Sequence, residues 1–456
     1  MNTYIIVGII LVVLVALLAT NKKLVETLKN IYKIEELRQR ILFTLGLLLI
    51  YRLGSFVTLP GVDHSILEQW TQNFANDGSS LMGLLNIFSG GAFSQASIFA
   101  LGVMPYITAS IIIQLLGIMV PYFRKMQREG ESGRRKMNQW TRFLTIAVLL
   151  LQAPAYLATQ VISSGAVVAN GDFLGIANGQ FIVPAVIILI AGTMFIMWLG
   201  EKITDRGIGN GISLIIMIGI VARLPQSFLQ EFMFQTTGGG SIIMLLVELV
   251  FLALVFMLAI AIVQAVRKIP VQYAKRIVGN KQYGGVRQYI PLKLNAANVM
   301  PIIFAQALMF IPGLIWGGQW LDITSFWYNF TLVVLVIAFT YFYTAIIVNP
   351  QMMADDMKRN GGFIPGVKPG KSTVTYIDDI MTRITLPGSV FLAIITILPA
   401  IAMSLGITQG FAYFFGGTSL LIMVGVVLDT LKQIESYLLM RHYDGLMKTG
   451  RIQGRY

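Results

Sequence analysis

Few residues in this 456-residue chain could do covalent or metal chemistry. There are no cysteines, so thiol catalysis, disulfides and iron–sulfur clusters are excluded. The two histidines, His64 and His442, lie in polar stretches at opposite ends of the chain, a poor basis for a metal site or a His-based catalytic centre. The sequence contains no Gly-x-x-x-x-Gly-Lys-Ser/Thr phosphate loop. Ion-coupled pumps bury Asp, Glu, Lys or His at mid-membrane to carry the coupling charge. Here the middles of the apolar runs are nearly free of charge, with Glu248 inside one run and Asp429 toward the inner part of another. What recurs is aliphatic: Val103 and Ile107 are four apart, as are Ile212 and Ile216, so each pair projects from one face of a helix. An apolar constriction blocks water and ions by dewetting and makes no specific hydrogen bond to what passes, which suits a chemically varied solute. Ordinary helix packing uses the same spacing. Near these positions stand Thr108, Gln114 and Asn295. Interhelical hydrogen bonds from such groups contribute on the order of 0.6 kcal/mol, weak enough to serve as plain glue or as a gate that a ligand opens.

The elements that position these residues are membrane spans. Charged residues are 12% of the chain, against about 25% in soluble domains, hydrophobic residues are 56%, and mean hydropathy is +0.73. Too little polar side chain remains to solvate a compact surface, so the solvent is mostly lipid. Ten stretches are long enough to cross a bilayer, near 41–57, 96–118, 143–162, 181–199, 211–230, 242–266, 296–316, 328–348, 384–405 and 418–440. Runs of this length with Gly and Pro inside them predict an all-α helical bundle, not a barrel. If the ten spans alternate, 32 of the 34 Lys and Arg fall on one side, leaving only Arg52 and Arg223 near the outer ends of spans. Both ends of the ten-span core are therefore expected in the cytoplasm. The same asymmetry accounts for a net charge of +13 without invoking nucleic acid. Residues 22–40 have the periodicity of an amphipathic helix on the inner membrane surface, or of a short soluble helix. Residues 1–21 hold a further apolar stretch that reads as an extra span, a cleaved signal or an upstream start, and stay unassigned.

Val103-Met104-Pro105-Tyr106-Ile107 in the second span echoes Val299-Met300-Pro301-Ile302-Ile303 in the seventh, and Met-Pro occurs nowhere else. The chain then reads as two five-span halves, 41–240 and 241–440, followed by a cytoplasmic tail, 441–456. Because five is odd, the second half starts from the opposite side and the repeat is inverted. Pro-interrupted segments at matching positions point to a transport pathway, although chance in a Met- and Ile-rich chain would give the same echo. Residues 84–95 are too short and Gly-broken to cross the bilayer, so they form either a re-entrant segment or an outer loop helix. The loop at 267–293 carries seven basic residues and no acid, with Tyr273, Tyr283 and Tyr289 interleaved. That surplus suits structured RNA or an acidic protein face, and it equally suits lipid headgroups. The 349–383 loop has a Pro-Gly-rich tip around Lys368 that reads as a protruding docking loop.

Seven motifs in order, among them FSGGAFSQASIFALGVMPYITASIIIQLL at 88–116, WLGEKITDRGIGNGIS at 198–213, PLKLN at 291–295 and GGTSLLI at 416–422, make residues 22–456 similar to the SecY family, the channel subunits of the bacterial protein translocon. The resemblance implies a protein-conducting channel of the general secretory pathway in the inner membrane. It would pass unfolded polypeptides across and release transmembrane segments sideways between spans 2 and 7. It implies a pore ring of Val103, Ile107, Ile212, Ile216, Ile303 and Ile422, and a plug helix at 84–95 holding Leu84, Asn86, Phe88, Gly90, Gly91 and Phe93. It further implies a lateral gate with Thr108, Gln114 and Asn295, and docking of the ribosome or the SecA ATPase through Lys275, Arg276, Lys281, Arg287 and Lys368. Partner chains SecE and SecG, signal-bearing precursor proteins and membrane lipids are implied as well; no cofactor or enzymatic activity is. The sequence departs from the family in its first 20 residues, in Lys368 where Arg is usual, which loses the planar fork, and in Val103 where Ile is frequent. From the residues alone, a secondary transporter of a small apolar solute is the rival reading, and it needs a buried coupling charge that the spans scarcely supply.

Overall fold

A computed structural model describes residues 34–63, 65–67, 86, 88–167, 178–237, 241–273, 276–278, 281–283, 287–316 and 323–448. The apolar stretch at 1–21, most of 22–40 and the end of the tail lie outside these residues, as does the junction of the two expected halves at 238–240.

Helix α1 (Glu35–Gly54) opens on Glu35 and Glu36 and closes on Arg52, charges that match the helix dipole at each end. Residues 35–40, expected to finish a separate amphipathic helix, are its first turns. The second span begins later than its hydropathy suggests. Residues 97–103 are turns, and α2 (Met104–Met119) starts where Pro105, which lacks an N–H, costs no hydrogen bond in a first turn. After a bend of 100° comes α3 (Pro121–Arg128), which is short and amphipathic. Helix α4 (Glu131–Tyr156) contains Pro154 and widens into a π-helical turn, Leu157–Ile162. Next come α5 (Asn178–Arg206), α6 (Gly211–Thr237) and α7 (Ile242–Gln264). The N-cap of α7 is Ser241, whose Oγ accepts the Ile243 N–H at 3.2 Å.

The basic loop that follows is not irregular. Strands β1 (Val266–Tyr273) and β4 (Arg287–Lys293) pair antiparallel from Val266 opposite Lys293 to Gln272 opposite Arg287. Between them β2 (Arg276–Val278) and β3 (Lys281–Tyr283) pair antiparallel. The chain continues through α8 (Met300–Trp316), α9 (Phe326–Ile347) and α10 (Pro350–Arg359) to β5 (Gly362–Phe363), which adds to the free edge of β1. Helix α11 (Lys371–Ser404), the short α12 (Gln409–Ala412), a 3₁₀ turn at Tyr413–Phe415 and α13 (Gly417–Lys448) complete the described chain.

Each of the ten expected apolar stretches falls on one of these helices. Among the described residues, seven helices are long and apolar enough to cross a membrane, and the bent α2–α3 pair makes an eighth if counted as one span. Helix α8 is described over only 17 residues, and α1 carries Arg38, Arg40 and Arg52.

The chain divides into two compact units, one drawn from residues up to 53, 197–215 and 426 onward, the other from 54–196 and 216–425. In the smaller unit, Thr44 Oγ1 accepts the Ile208 N–H at 3.1 Å and Gln433 Oε1 accepts the Gly209 N–H at 2.8 Å. In the larger, α2 packs on α4, α8 on α9 and α9 on α11. One core there gathers Leu59, Phe93, Ala96, Ala153, Tyr156, Phe181 and Leu189. Gly192 of α5 admits the turn before α2, because a Cβ at that position would strike the Ile98 carbonyl.

Candidate functional site

The two Met-Pro segments do more than repeat in sequence. Gly102 and Asn298, at matching positions, both take left-handed backbone angles, with φ of 55° and 52°. For Asn this region is uncommon and for Gly it costs little. Each residue turns the chain so that a helix can start on Met-Pro, and Pro105 and Pro301 thus begin their helices and do not break them. In each case the fourth helical residue donates its N–H back across the first turn, Ile107 to the Val103 carbonyl at 3.0 Å and Ile303 to the Val299 carbonyl at 3.3 Å.

A second echo was legible in the sequence but was missed, because the first one lay in Met-Pro and this one does not. Gly211-Ile212-Ser213-Leu214-Ile215-Ile216-Met217-Ile218-Gly219 matches Gly417-Thr418-Ser419-Leu420-Leu421-Ile422-Met423-Val424-Gly425. Gly211 and Gly417 are the first residues of α6 and α13, and Ile216 and Ile422 are the sixth of each. Of the six expected ring residues, five lie in the larger unit: Val103, Ile216 and Ile422 are buried, and Ile107 and Ile303 are half-buried. Ile212 belongs to the smaller unit, where it packs over Gly200, whose absent Cβ would stand 2.8 Å from Ile212 Cγ1.

The three expected gate residues do not bond to one another. Thr108 Oγ1 donates to the Met104 carbonyl at 3.1 Å, and Gln114 Nε2 donates to Ser110 Oγ at 3.5 Å, both within α2. The Thr108 bond is back-bonding to the preceding turn, which satisfies a hydroxyl without a partner helix, and the long Gln114 contact is to a side chain of the same helix. Asn295, in the turns before α8, is buried, and its Oδ1 has no hydrogen-bond partner. Leaving such an acceptor unmet costs about 1–3 kcal/mol.

Of the expected plug residues, Leu84 lies outside the described residues. Asn86 and Phe88 are helical, and residues 89–96 are a run of turns and not a continuing helix. The reason is the Gly-Gly pair, since Gly90 and Gly91 take φ of 65° and 98°. The turns are fastened internally. Asn86 accepts the Gly91 N–H on its carbonyl at 2.9 Å and the Ser94 N–H on Oδ1 at 3.2 Å, and Ser89 Oγ accepts the Phe93 N–H at 3.0 Å. The buried Tyr156 donates its hydroxyl to the Phe93 carbonyl at 2.7 Å, with the two rings 4.8 Å apart.

The two loops expected to dock partners separately share one core. Ile269, Val271 and Leu292 of the β1–β4 pair pack with Met357, Ile364, Ile377 and Met381. In β1 the buried Ile269 and Val271 are two apart, as a strand with one covered face requires. Lys275 lies outside the described residues; Arg276, Lys281 and Arg287 lie on β2, β3 and β4. Lys368 is exposed on a turn closed by the Thr373 hydroxyl donating to its carbonyl at 3.0 Å.

One polar cluster escaped the sequence reading. Glu231 and Glu248, 0% and 2% exposed, both accept from the single amide of Gln235, at 2.8 and 3.0 Å. The Ser241 N–H donates to Gln235 Oε1 at 3.2 Å, which orients that amide. The other Glu231 oxygen accepts from the Thr408 backbone N–H at 2.8 Å and from its hydroxyl. Glu248 Oε2 is buried without a partner. Glu231 lies just past the apolar stretch 211–230, inside α6, and nothing local in the sequence ties it to residue 408. Glu248 is the seventh residue of α7, about 9 Å from the helix end farther from the basic strands, and so is not at the midplane where a coupling charge belongs.

The SecY family model matches residues 97–431. The protein translocase subunit SecY of Corynebacterium glutamicum is 41% identical over 445 residues, covering 91% of this chain and 98% of that one. The Streptomyces coelicolor protein of the same name is 43% identical over 440 residues, again covering 91% and 98%. Two solved structures share the fold at low identity. A protein-conducting channel has a TM-score of 0.57 at 18% identity, covering 87% of this chain and 91% of its own. Canine Sec61 from a ribosome–channel complex of the endoplasmic reticulum has a TM-score of 0.53 at 16% identity, with the same two coverages.

Proposed function

The chain belongs to the SecY family of protein translocase subunits, and from that premise we propose that it conducts unfolded polypeptides across the bacterial inner membrane through an aliphatic ring, with no hydrolytic site of its own. The observation that carries this reading is the double echo. Ile107 and Ile303 hold the same place in α2 and α8, and Ile216 and Ile422 hold the same place in α6 and α13. Four branched aliphatic side chains at repeat-equivalent positions are what a pore waist built from two inverted halves needs, since each half must supply matching contacts. Val103 and Ile212 complete the ring in this reading.

Side chains of this kind seal by excluding water and grip by area, so they accept any sequence passing through. Residues 84–95 close the resting pore as a plug. Transmembrane segments leave sideways between α2 and α8, where Thr108, Gln114 and Asn295 stand; the unmet Asn295 acceptor makes that seam the less stable one and ready to take a new partner. The driving energy comes from a bound ribosome or the SecA ATPase, docked on the small domain formed by β1–β5, α10 and the start of α11. Lys275, Arg276, Lys281, Arg287 and Lys368 supply charge for that docking, and SecE and SecG accompany the channel. Both ends of the ten-span core face the cytoplasm in this arrangement.

The test is a photo-reactive residue at position 107 or 303 in membranes carrying a precursor stalled midway through export. Cross-links from both positions to the precursor are expected. Efficient stalling with no cross-link from either would overturn the proposal.

A further inference from the structure

Arg223 is one of two basic residues that break the one-sided charge distribution, and topology gives it no task. Its place in α6 does. Ile216, Gly219 and Arg223 are spaced i, i+3 and i+7 and so share one helix face. Each touches, or is positioned for, a different layer of the closed pore. Ile216 is the proposed ring residue. At Gly219 the helix runs directly against the plug, for a Cβ there would stand 3.1 Å from the Phe88 carbonyl oxygen and 3.3 Å from the Gly90 nitrogen. One turn on, Arg223 Nη2 donates to Ser94 Oγ at 3.3 Å, and a Cβ on Gly91 would meet the same Nη2 at 2.9 Å. The guanidinium therefore lies over the glycine turn itself.

The same turn is also held by Tyr156 through the 2.7 Å bond to the Phe93 carbonyl. The donors come from two different spans, α6 and the end of α4, and grip consecutive residues, 93 and 94. Both bonds reach the segment from helices far from it in the chain, 63 and 129 residues away.

We propose that Arg223 and Tyr156 form a two-point latch that sets the resting position of the plug, with Arg223 as the positioning residue that ties plug release to movement of the ring. Because Ile216 and Arg223 sit on one rigid helix face, any displacement of α6 that widens the ring also carries the guanidinium off Ser94. The inference rests on the plug reading given above and adds to it the residues that hold the plug.

The absence of native cysteine makes the test clean. A Gln95→Cys reporter in the full-length chain, in right-side-out membrane vesicles, is labelled with a membrane-impermeant maleimide. Losing one neutral hydrogen bond shifts a two-state equilibrium about fivefold, and a charge-assisted one about tenfold or more. Arg223→Ala should therefore speed labelling about tenfold and Tyr156→Phe, which keeps the ring and loses only the hydroxyl, about fivefold. The double variant should approach the product, and Arg223→Lys should recover part of the loss. A general loss of packing would not be rescued by Lys, and Tyr156→Phe stands as an independent arm if Arg223→Ala fails to accumulate. Unchanged labelling in both single variants, while deletion of residues 86–95 still raises resting ion leak, would overturn the latch and leave the plug standing. A deletion that raises no leak would remove the plug reading and the latch with it.

Discussion

At the scale of single residues, the proposed mechanism depends on side chains that do no bond chemistry. Val103, Ile216 and Ile422 are buried, Val103 directly after the left-handed Gly102 and the two isoleucines in the second turns of their helices. A polar substitution here has a definite sign. In the proposed ring, Ile303→Asn would place an amide among aliphatic side chains and lower the cost of wetting the constriction by on the order of 1–2 kcal/mol. That corresponds to a rise of about 5–30-fold in the wetted population. Resting ion conductance in reconstituted membranes should increase accordingly, and precursors with defective signal sequences should be accepted. Wild-type conductance in the variant would show that position 303 does not line the waist. The reading of these residues from the sequence was incomplete in an instructive way. The i, i+4 spacing of 103 and 107 is shared with ordinary packing, whereas the left-handed turns at Gly102 and Asn298 are a property of the backbone that residue types alone do not declare.

At the scale of elements, the C-terminal end of α6 and the N-terminal end of α7 are joined to the loop before α12 by one buried cluster. Glu231 accepts bonds from Gln235 and Thr408, and Gln235 also donates to Glu248. The arrangement is asymmetric. Glu231 has donors on both oxygens, whereas Glu248 is left with one oxygen unmet. Replacing Glu231 by Ala strands a buried N–H, a hydroxyl and half of an amide, at a cost of about 3 kcal/mol or more. Glu248→Gln removes a second buried charge and keeps an acceptor for Gln235, so it should be near neutral. Thermal unfolding in detergent should show a clear drop for the first variant and little change for the second. Equal losses would mean that both carboxylates are needed as charges. The helices themselves were legible in the sequence, since a run of 20 apolar residues in lipid has no alternative to the helix. The clasp was not, because residues 231 and 408 meet only through tertiary packing.

At the scale of the whole molecule, the lopsided charge becomes a surface. Strands β1, β2, β3 and β4 carry Arg267, Lys268, Arg276, Lys281, Arg287 and Lys293, and the core that the paired β1 and β4 share with Met357, Ile364, Ile377 and Met381 joins two stretches far apart in the chain. A partner bound there meets a stiff platform and not two loose loops, which reduces the ordering cost of association. Neutralising Arg276, Lys281 and Arg287 together should weaken ribosome binding and reduce its dependence on the logarithm of salt concentration by about 2. A weakened affinity with the original salt slope would assign these charges to lipid headgroups.

Spans and membership in a motif-bearing family were available from the sequence by itself, as was the charge asymmetry on which the proposed orientation rests. All three are one-dimensional properties: hydropathy over some 20 residues, a count of Lys and Arg between spans, and ordered local patterns such as the two Val-Met-Pro segments. The tertiary structure decided the rest. It made turns of residues 89–96 where a helix was expected, it set Thr108 and Gln114 to bond within their own helix, and it gave β1 and β4 a common core with the 349–383 loop. It also brought Arg223 to Ser94, 129 residues away, and Glu231 to Thr408, 177 residues away. Such pairings depend on how whole helices pack, and a short polar side chain has the same local sequence signature whichever distant partner it meets.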